Sequence, residues 1–362
     1  MSKYKYEVVP IGKCMILPED SIFFGSGGSN TIIVVTKDFR AYKFFPFYYT
    51  KLSTDYKKSI EIEKKKTLNE INIGKNLSKK IIDKGISIHY VKFYGYNSCS
   101  NIQKLFSHCP NFIDHLLDKN KDKLCKEYYR RHPIRTLDKE YIVLSMEYCD
   151  YPCNQFIEDI SKLNTTKIKY YLDIFFFQIY YTLLKTKQVF PWFFHRDLFM
   201  RNILGVKTTN PNRYFRYHYK SMIFDVPVGI YVPKISDFGL TNLDDKLHDV
   251  KLIKDHWVDF YNITWDVYDG ACLGSTSLSN LFDTNSNKLG FIKKYFNTYF
   301  NTKRLDMLKK INPNYMNSGW YNTFDKKFSS YINYKEPKYL FKKYFNKIFS
   351  YDPTHEIEQE FE

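Results

Sequence analysis

The chain has no long uninterrupted apolar run. Its most apolar stretch, Tyr170 to Leu184, is broken by Asp173 and Gln178 and falls short of the ~20 apolar residues needed to cross a bilayer as a helix. No membrane span is therefore expected. The opening residues, Met1-Ser2-Lys3-Tyr4-Lys5-Tyr6-Glu7, lack an apolar signal region. Cysteine is scarce. Seven cysteines in 362 residues, with no paired spacing, exclude a disulfide framework and predict reduced thiols in a cytoplasmic compartment. Cys99, His108, Cys109 and His115 match no familiar two-plus-two zinc spacing and are read as scattered surface or core residues. Acidic residues are in deficit, 39 against 55 Lys and Arg, for a formal charge of +16. Such a balance attracts nucleic acid, anionic surfaces or acidic proteins. The lysines are nevertheless dispersed in short runs such as Lys64-Lys65-Lys66, with no Arg/Gly/aromatic module among them. A solvated basic surface is the simpler reading, and no specific nucleic-acid partner is expected.

What is present is enough apolar material, 44% of residues, for one large domain or two lobes around a cleft. Aromatics reach 19%, but they recur everywhere alongside Lys, Asn and Ile, as in an AT-rich coding sequence, so no single aromatic stripe carries weight. Ser21-Ile22-Phe23-Phe24, Thr31 to Thr36 and Phe39 to Phe45 read as strands, with a Gly/Ser/Asn cluster between the first two and a Lys37-Asp38 turn before the third. Leu68, Ile71 and Leu77 have helical spacing within 60–80. His89 to Gly95 and Tyr141 to Met146 read as strands flanking a basic, cysteine-containing insertion at about 97–140. A long apolar-rich helix is predicted from Thr165 to Lys187, and the remainder looks mostly helical. Strands first and helices second argue for an α+β chain with two unlike lobes.

The strongest chemical signal is His195-Arg196-Asp197-Leu198-Phe199-Met200-Arg201-Asn202-Ile203-Leu204, followed by Lys234-Ile235-Ser236-Asp237-Phe238-Gly239-Leu240. By these residues the sequence resembles the protein kinase family, whose catalytic loop reads H-R-D-L-x-x-x-N and whose metal-binding segment reads D-F-G. The resemblance implies a two-lobed protein-kinase-like fold, with a small β-rich N-lobe over residues 1–146 and a larger helical C-lobe over 147–362. It also implies ATP and Mg²⁺ as cofactors and a protein substrate. Phosphoryl transfer needs a carboxylate for the substrate hydroxyl proton and cations to neutralise phosphate charge. By resemblance Asp197 is the catalytic base, and Asn202 and Asp237 are the metal ligands.

Upstream, Phe24-Gly25-Ser26-Gly27-Gly28-Ser29-Asn30-Thr31-Ile32 is similar to the family's glycine-rich phosphate loop, with Asn30 in place of its third glycine. Glycines let backbone amides approach phosphates without a Cβ in the way, and asparagine tolerates positive φ better than most residues. Arg40-Ala41-Tyr42-Lys43 matches the strand whose lysine meets the α- and β-phosphates, with Ala41 lining the adenine site. Its acidic partner is expected on the following helix as Glu70, with Glu63 as the alternative. Gly74, one turn beyond Glu70, departs from the family's apolar residue there. Met146-Glu147-Tyr148-Cys149 resembles the hinge, with Met146 as gatekeeper and the backbones of Glu147 and Cys149 on adenine.

Other departures matter. Phe199 stands where Ser/Thr kinases usually carry lysine. Arg201, placed as in the tyrosine-kinase form of the loop, is the nearest substitute for meeting phosphate. No A-P-E follows Asp237, and Asp266-Val267-Tyr268, resembling the family's D-V-W at the start of a buried helix, arrives early. Thr241 and Thr264 are candidate modification sites, though activity without loop phosphorylation is expected. About twenty extra residues before Asp237 predict a hairpin at about 207–231 that extends the strands of the cleft. Glu336-Pro337-Lys338-Tyr339-Leu340-Phe341 resembles the last helix of the domain.

A serine/threonine-directed protein kinase is the leading expectation. Alternatives are a tyrosine or dual-specificity kinase, a small-molecule kinase of the aminoglycoside or choline type, and an inactive scaffold. Phe238-Gly239 and Arg196 speak against the small-molecule type, and the retained lysine and aspartates against the scaffold. The Lys, Asn and aromatic bias resembles that of a kinase of a large DNA virus, located in host cytoplasm or the virion. Oligomeric state is not legible.

Overall fold

A computed structural model describes residues 22–26, 32–35, 40–50, 56–99, 135–243, 258–269, 277–282, 287–303 and 335–362. The chain is α+β and divides into two units, residues 1–78 with 91–149, and 79–90 with 150–362.

The first unit is built on a five-stranded sheet of order β1-β2-β3-β5-β4. Its strands are β1 (Ile22–Ser26), β2 (Ile32–Val35), β3 (Arg40–Thr50), β4 (Phe93–Cys99) and β5 (Arg135–Glu147). Every pairing is antiparallel. Helix α1 (Tyr56–Leu77) contacts β3 and β4. Its buried positions, Ile60, Thr67, Glu70, Ile71, Ile73, Gly74 and Leu77, recur at the three- and four-residue steps of one helical face. Leu68, counted on that face by the sequence pattern, is instead 42% exposed. Thr67 takes the inward place, because the face is set by phase and not by hydrophobicity alone. The insertion between β4 and β5, with His108, Cys109 and His115, lies outside the described residues.

The second unit is organised around α3 (Thr165–Val189), preceded by α2 (Cys153–Ser161). Asn164 caps α3 by accepting the Lys167 N–H at 2.9 Å, satisfying one of the orphan donors of a helix start. From Leu172 to Leu184 every residue of α3 is buried, Asp173, Gln178 and Thr182 included, so over this stretch the helix is enclosed on all sides. Phe177 at its centre meets Tyr217, Phe224, Phe341, Phe345 and Phe349 with ring centroids 5.0–5.4 Å apart, an aromatic cluster in the core of this unit. Strand β6 (Ile203–Lys207) pairs antiparallel with β9 (Tyr231–Ile235). Between them, β7 (Tyr214–Tyr219) and β8 (Met222–Pro227) form the expected hairpin. The hairpin does not lengthen the β6–β9 pair. It joins β10 (Ile357–Phe361) in a separate sheet of order β10-β7-β8, because the open edge of β7 is taken in parallel by β10.

The described residues of the unit also form helices α4 (Val258–Asp269), α5 (Leu278–Leu281), α6 (Asn287–Phe296) and α7 (Pro337–Lys343). Asp266 lies near the end of α4 and not at its start, which corrects the alignment of Asp266-Val267-Tyr268 with the beginning of the buried helix. Among the described residues no helix is long and apolar enough to cross a membrane.

Candidate active site

Two groups of predicted residues form, one in each unit. In the first, alternation along β3 puts Ala41, Lys43 and Phe45 on one face of the strand, and all three are buried. Lys43 Nζ lies 2.7 Å from Glu70 Oε1 and 4.9 Å from the Phe45 ring centroid. A buried ammonium persists only with such partners. Glu63, the alternative carboxylate, is exposed and pairs with Lys66 at 2.9 Å. Gly74 also finds its reason here: a Cβ on it would lie 2.2 Å from Cε2 of Phe93, so the Phe93 ring fills the place of the missing side chain.

Ala41 and Met146 are cross-strand neighbours in the β3–β5 register. The Glu147 N–H donates to Lys92 O at 2.8 Å, and its carboxylate accepts the Lys92 N–H at 3.1 Å. Cys149 is buried. Phe24, Gly25 and Ser26 belong to β1 and Ile32 to β2, with a register shift between Phe23 and Gly25. Gly27, Gly28, Ser29, Asn30 and Thr31 lie outside the described residues.

In the second unit the local sequence builds a tight junction. Strand β6 starts immediately after Asn202 and β9 ends immediately before Ser236-Asp237. The register Ile203↔Ile235 therefore brings both motifs to one end of the pair. Ser236 seals it, its N–H and Oγ each donating to Asn202 O at 2.9 Å. Asn202 Nδ2 donates to Asp197 O at 2.7 Å and to Asp197 Oδ2 at 2.8 Å. Arg201 Nη2 donates to Asp197 Oδ1 at 2.5 Å, and its guanidinium lies 5.0 Å from the Phe199 ring centroid. Phe199 is buried, so this side chain is a platform under Arg201.

The loop is anchored from α4. Asp259 accepts the His195 N–H at 2.8 Å and the Arg196 N–H at 3.0 Å, and Asp266 accepts the Met200 N–H at 2.7 Å. His195 Nε2 donates to Ser236 O at 3.0 Å, and its ring lies 5.8 Å from that of Phe238. Arg196 and Asp237 sit at positive φ, 67° and 59°, a conformation that costs a non-glycine residue about 1–3 kcal/mol and persists only where surroundings over-determine it. Sequence reasoning passed over Asp259. Its only signal was an acid in the first turn of an apolar helical segment, a position ordinarily explained by the helix dipole. Thr241 and Thr264 are both buried. Thr241 Oγ1 is 3.4 Å from His195 O, and Thr264 Oγ1 is 2.5 Å from Phe260 O, so neither hydroxyl is presented for modification.

The donor set suits a hard divalent cation. Because both Asn202 Nδ2 bonds run to Asp197, the amide is oriented with the lone pairs of Oδ1 left to ligate a cation, and Asp237 supplies a carboxylate. Mg²⁺ is commonly held by just such a pair together with substrate phosphates. Among the described residues no group of three or more His, Cys, Asp or Glu forms a site of its own.

No family model matches the chain. Similarity to curated proteins is clear, however. The chain is 28% identical to "Putative serine/threonine-protein kinase R301" of Acanthamoeba polyphaga mimivirus over 337 residues, covering 82% of this chain and 81% of that one. It is 29% identical to "Putative serine/threonine-protein kinase R400" of the same virus over 170 residues, which cover 46% of this chain and 35% of that relative. The resemblance read from the motifs is thus a resemblance to divergent viral kinases, and it carries a kinase-like fold.

Proposed function

We propose that the protein is a protein kinase that transfers the γ-phosphate of ATP to a protein hydroxyl, serine/threonine favoured by the names of its relatives. The observation that carries this reading is the interlock of Asp197, Asn202 and Ser236-Asp237 at one end of β6 and β9. In it the first unit is the N-lobe and the second the C-lobe. Lys43, oriented by Glu70, holds the α- and β-phosphates, with Phe24 to Ile32 as the phosphate-binding segment. Ala41, Met146 and the backbones of Glu147 and Cys149 receive adenine. Asn202 and Asp237 hold Mg²⁺, which when bound neutralises charge on the phosphate oxygens. Asp197 accepts the hydroxyl proton as the new O–P bond forms and the bond to the β,γ-bridging oxygen breaks. Arg201, pivoting on Phe199, moves from Asp197 to the transferred phosphate in place of the usual lysine. Burial of Thr241 and Thr264 supports activity without modification at either. The site of action is cytoplasm, of a host cell or carried in the virion.

Asp197→Asn is expected to lower transfer to mixed protein substrates by roughly 10²–10⁴, with Mg²⁺-dependent ATP binding nearly intact. Equal activity in both proteins would sink the mechanism. Transfer to choline or aminoglycosides but not protein would mark a small-molecule kinase, and binding without transfer in the wild type a scaffold. Arg201 favours a second reading, a tyrosine-directed enzyme, because its place is similar to the tyrosine-kinase form of the loop. Phosphoamino-acid mapping decides between the two hydroxyls.

A further inference from the structure

Strand β9 has β6 along one edge, while the other edge meets His89. The Ile235 N–H donates to His89 O at 2.9 Å, and Tyr90 bridges Ile235 in parallel. The His89 side chain reinforces the contact, with Nδ1 3.0 Å from Pro233 O and Nε2 2.8 Å from the Tyr217 hydroxyl. A carbonyl only accepts, so Nδ1 carries the proton and Nε2 accepts from Tyr217. Tyr217 is in turn stacked on Phe361 of β10, with centroids 4.8 Å apart, and both are fully buried. The Tyr181 hydroxyl is within 3.2 Å of Phe361 O, which fixes the end of β10. A continuous set of contacts thus runs from β10 through Tyr217 and His89 to the residues just before Asp237, whose left-handed backbone needs external support.

We propose that His89 and Tyr217 are positioning residues for Asp237, and that β10 holds them in place through Phe361. The inference rests on the kinase reading above, and it gives the β7–β8 hairpin and β10 a task at the metal site that neither touches. His89 clamps Pro233 and Ile235 by side chain and main chain together, so loosening it releases the segment that aims the Asp237 carboxylate. Partners of metal ligands act in this way, and their loss commonly weakens metal use while the fold survives.

Tyr217→Phe deletes one hydroxyl and keeps the ring stack. Phe361→Ala deletes the ring that holds Tyr217. Nucleotide binding by calorimetry, across a Mg²⁺ titration and in EDTA, is the direct readout, with kcat and KM for ATP alongside. The expected result for Tyr217→Phe is a half-saturating Mg²⁺ concentration raised roughly tenfold, with ATP affinity in EDTA unchanged. An unchanged Mg²⁺ requirement, even with lowered melting temperature, overturns the inference, because a merely structural contact would behave that way. Should Phe361→Ala not fold, Tyr217→Phe alone decides. A wild type that binds no nucleotide at any Mg²⁺ concentration overturns the reading of the site itself, and this inference with it.

Discussion

At the scale of single residues, the informative positions are those where a side chain is buried against its nature or absent where one is expected. Lys43 and Glu70 are both nearly inaccessible, with 10% and 8% side-chain exposure. Glu70→Ala leaves the ammonium without its carboxylate, and a loss of about 3 kcal/mol is expected, read as an earlier urea midpoint at unchanged slope. A midpoint equal to wild type would show that the pair is dispensable for stability. Gly74 makes the opposite point. Gly74→Ala drives a methyl group into Phe93 and should cost about 1–3 kcal/mol. Phe93→Leu in the same chain should return part of it, so the two changes will not be additive. Additive losses would mean the clash is not what excludes a side chain there.

At the scale of elements, the hairpin is tied to the segment that leads into β10 by one buried carboxylate. Asp225 on β8 receives a two-pronged Arg216 fork at 2.8 and 2.9 Å, the Asp352 N–H at 2.9 Å and His355 Nδ1 at 3.2 Å. Burial works against its charge, but the Arg216 fork and the Asp352 N–H outweigh it and hold the carboxyl below its usual range. A depressed carboxylate pKa contributes stability that is complete above the unfolded value and lost as pH falls through the folded one. Arg216→Ala strands the carboxylate and is expected to cost about 3 kcal/mol. Hydrogen exchange should then show β10 opening before α3, and identical protection in both proteins would refute the clasp.

At the scale of the whole molecule, two buried groups pull the pH dependence of stability in opposite directions. Burial, aided by Lys234, depresses the His89 pKa from 6.5 to about 3. The unfolded chain therefore takes up a proton that the folded chain refuses as pH falls from 6.5 to about 3, at up to ~1.4 kcal/mol per pH unit. Asp173 on α3, bonded to Lys169, Tyr295 and Tyr344, is raised by burial in spite of these partners. Its contribution runs the other way, the folded state holding the proton at pH values where the unfolded state has lost it. Melting temperature is expected to drop between pH 7 and pH 5 in wild type, and the slope over that window to flatten in His89→Gln. An unchanged slope would remove His89 as its source.

The strands around Lys43, the helix carrying Glu70, the long α3, the hairpin before Asp237 and both short motifs were legible in the sequence, because each is a local pattern. Period, turn residues and fixed spacing are properties of adjacent residues. Only tertiary structure decided that Glu70 and not Glu63 meets Lys43, since helical phase relative to the sheet is not written in either glutamate. It alone showed that Phe93 fills the space above Gly74, that Asp259 anchors the catalytic loop, and that β10 returns from far along the chain to close the hairpin's edge. These are contacts between distant segments, chosen by burial and by hydrogen bonds that must be satisfied once water is excluded.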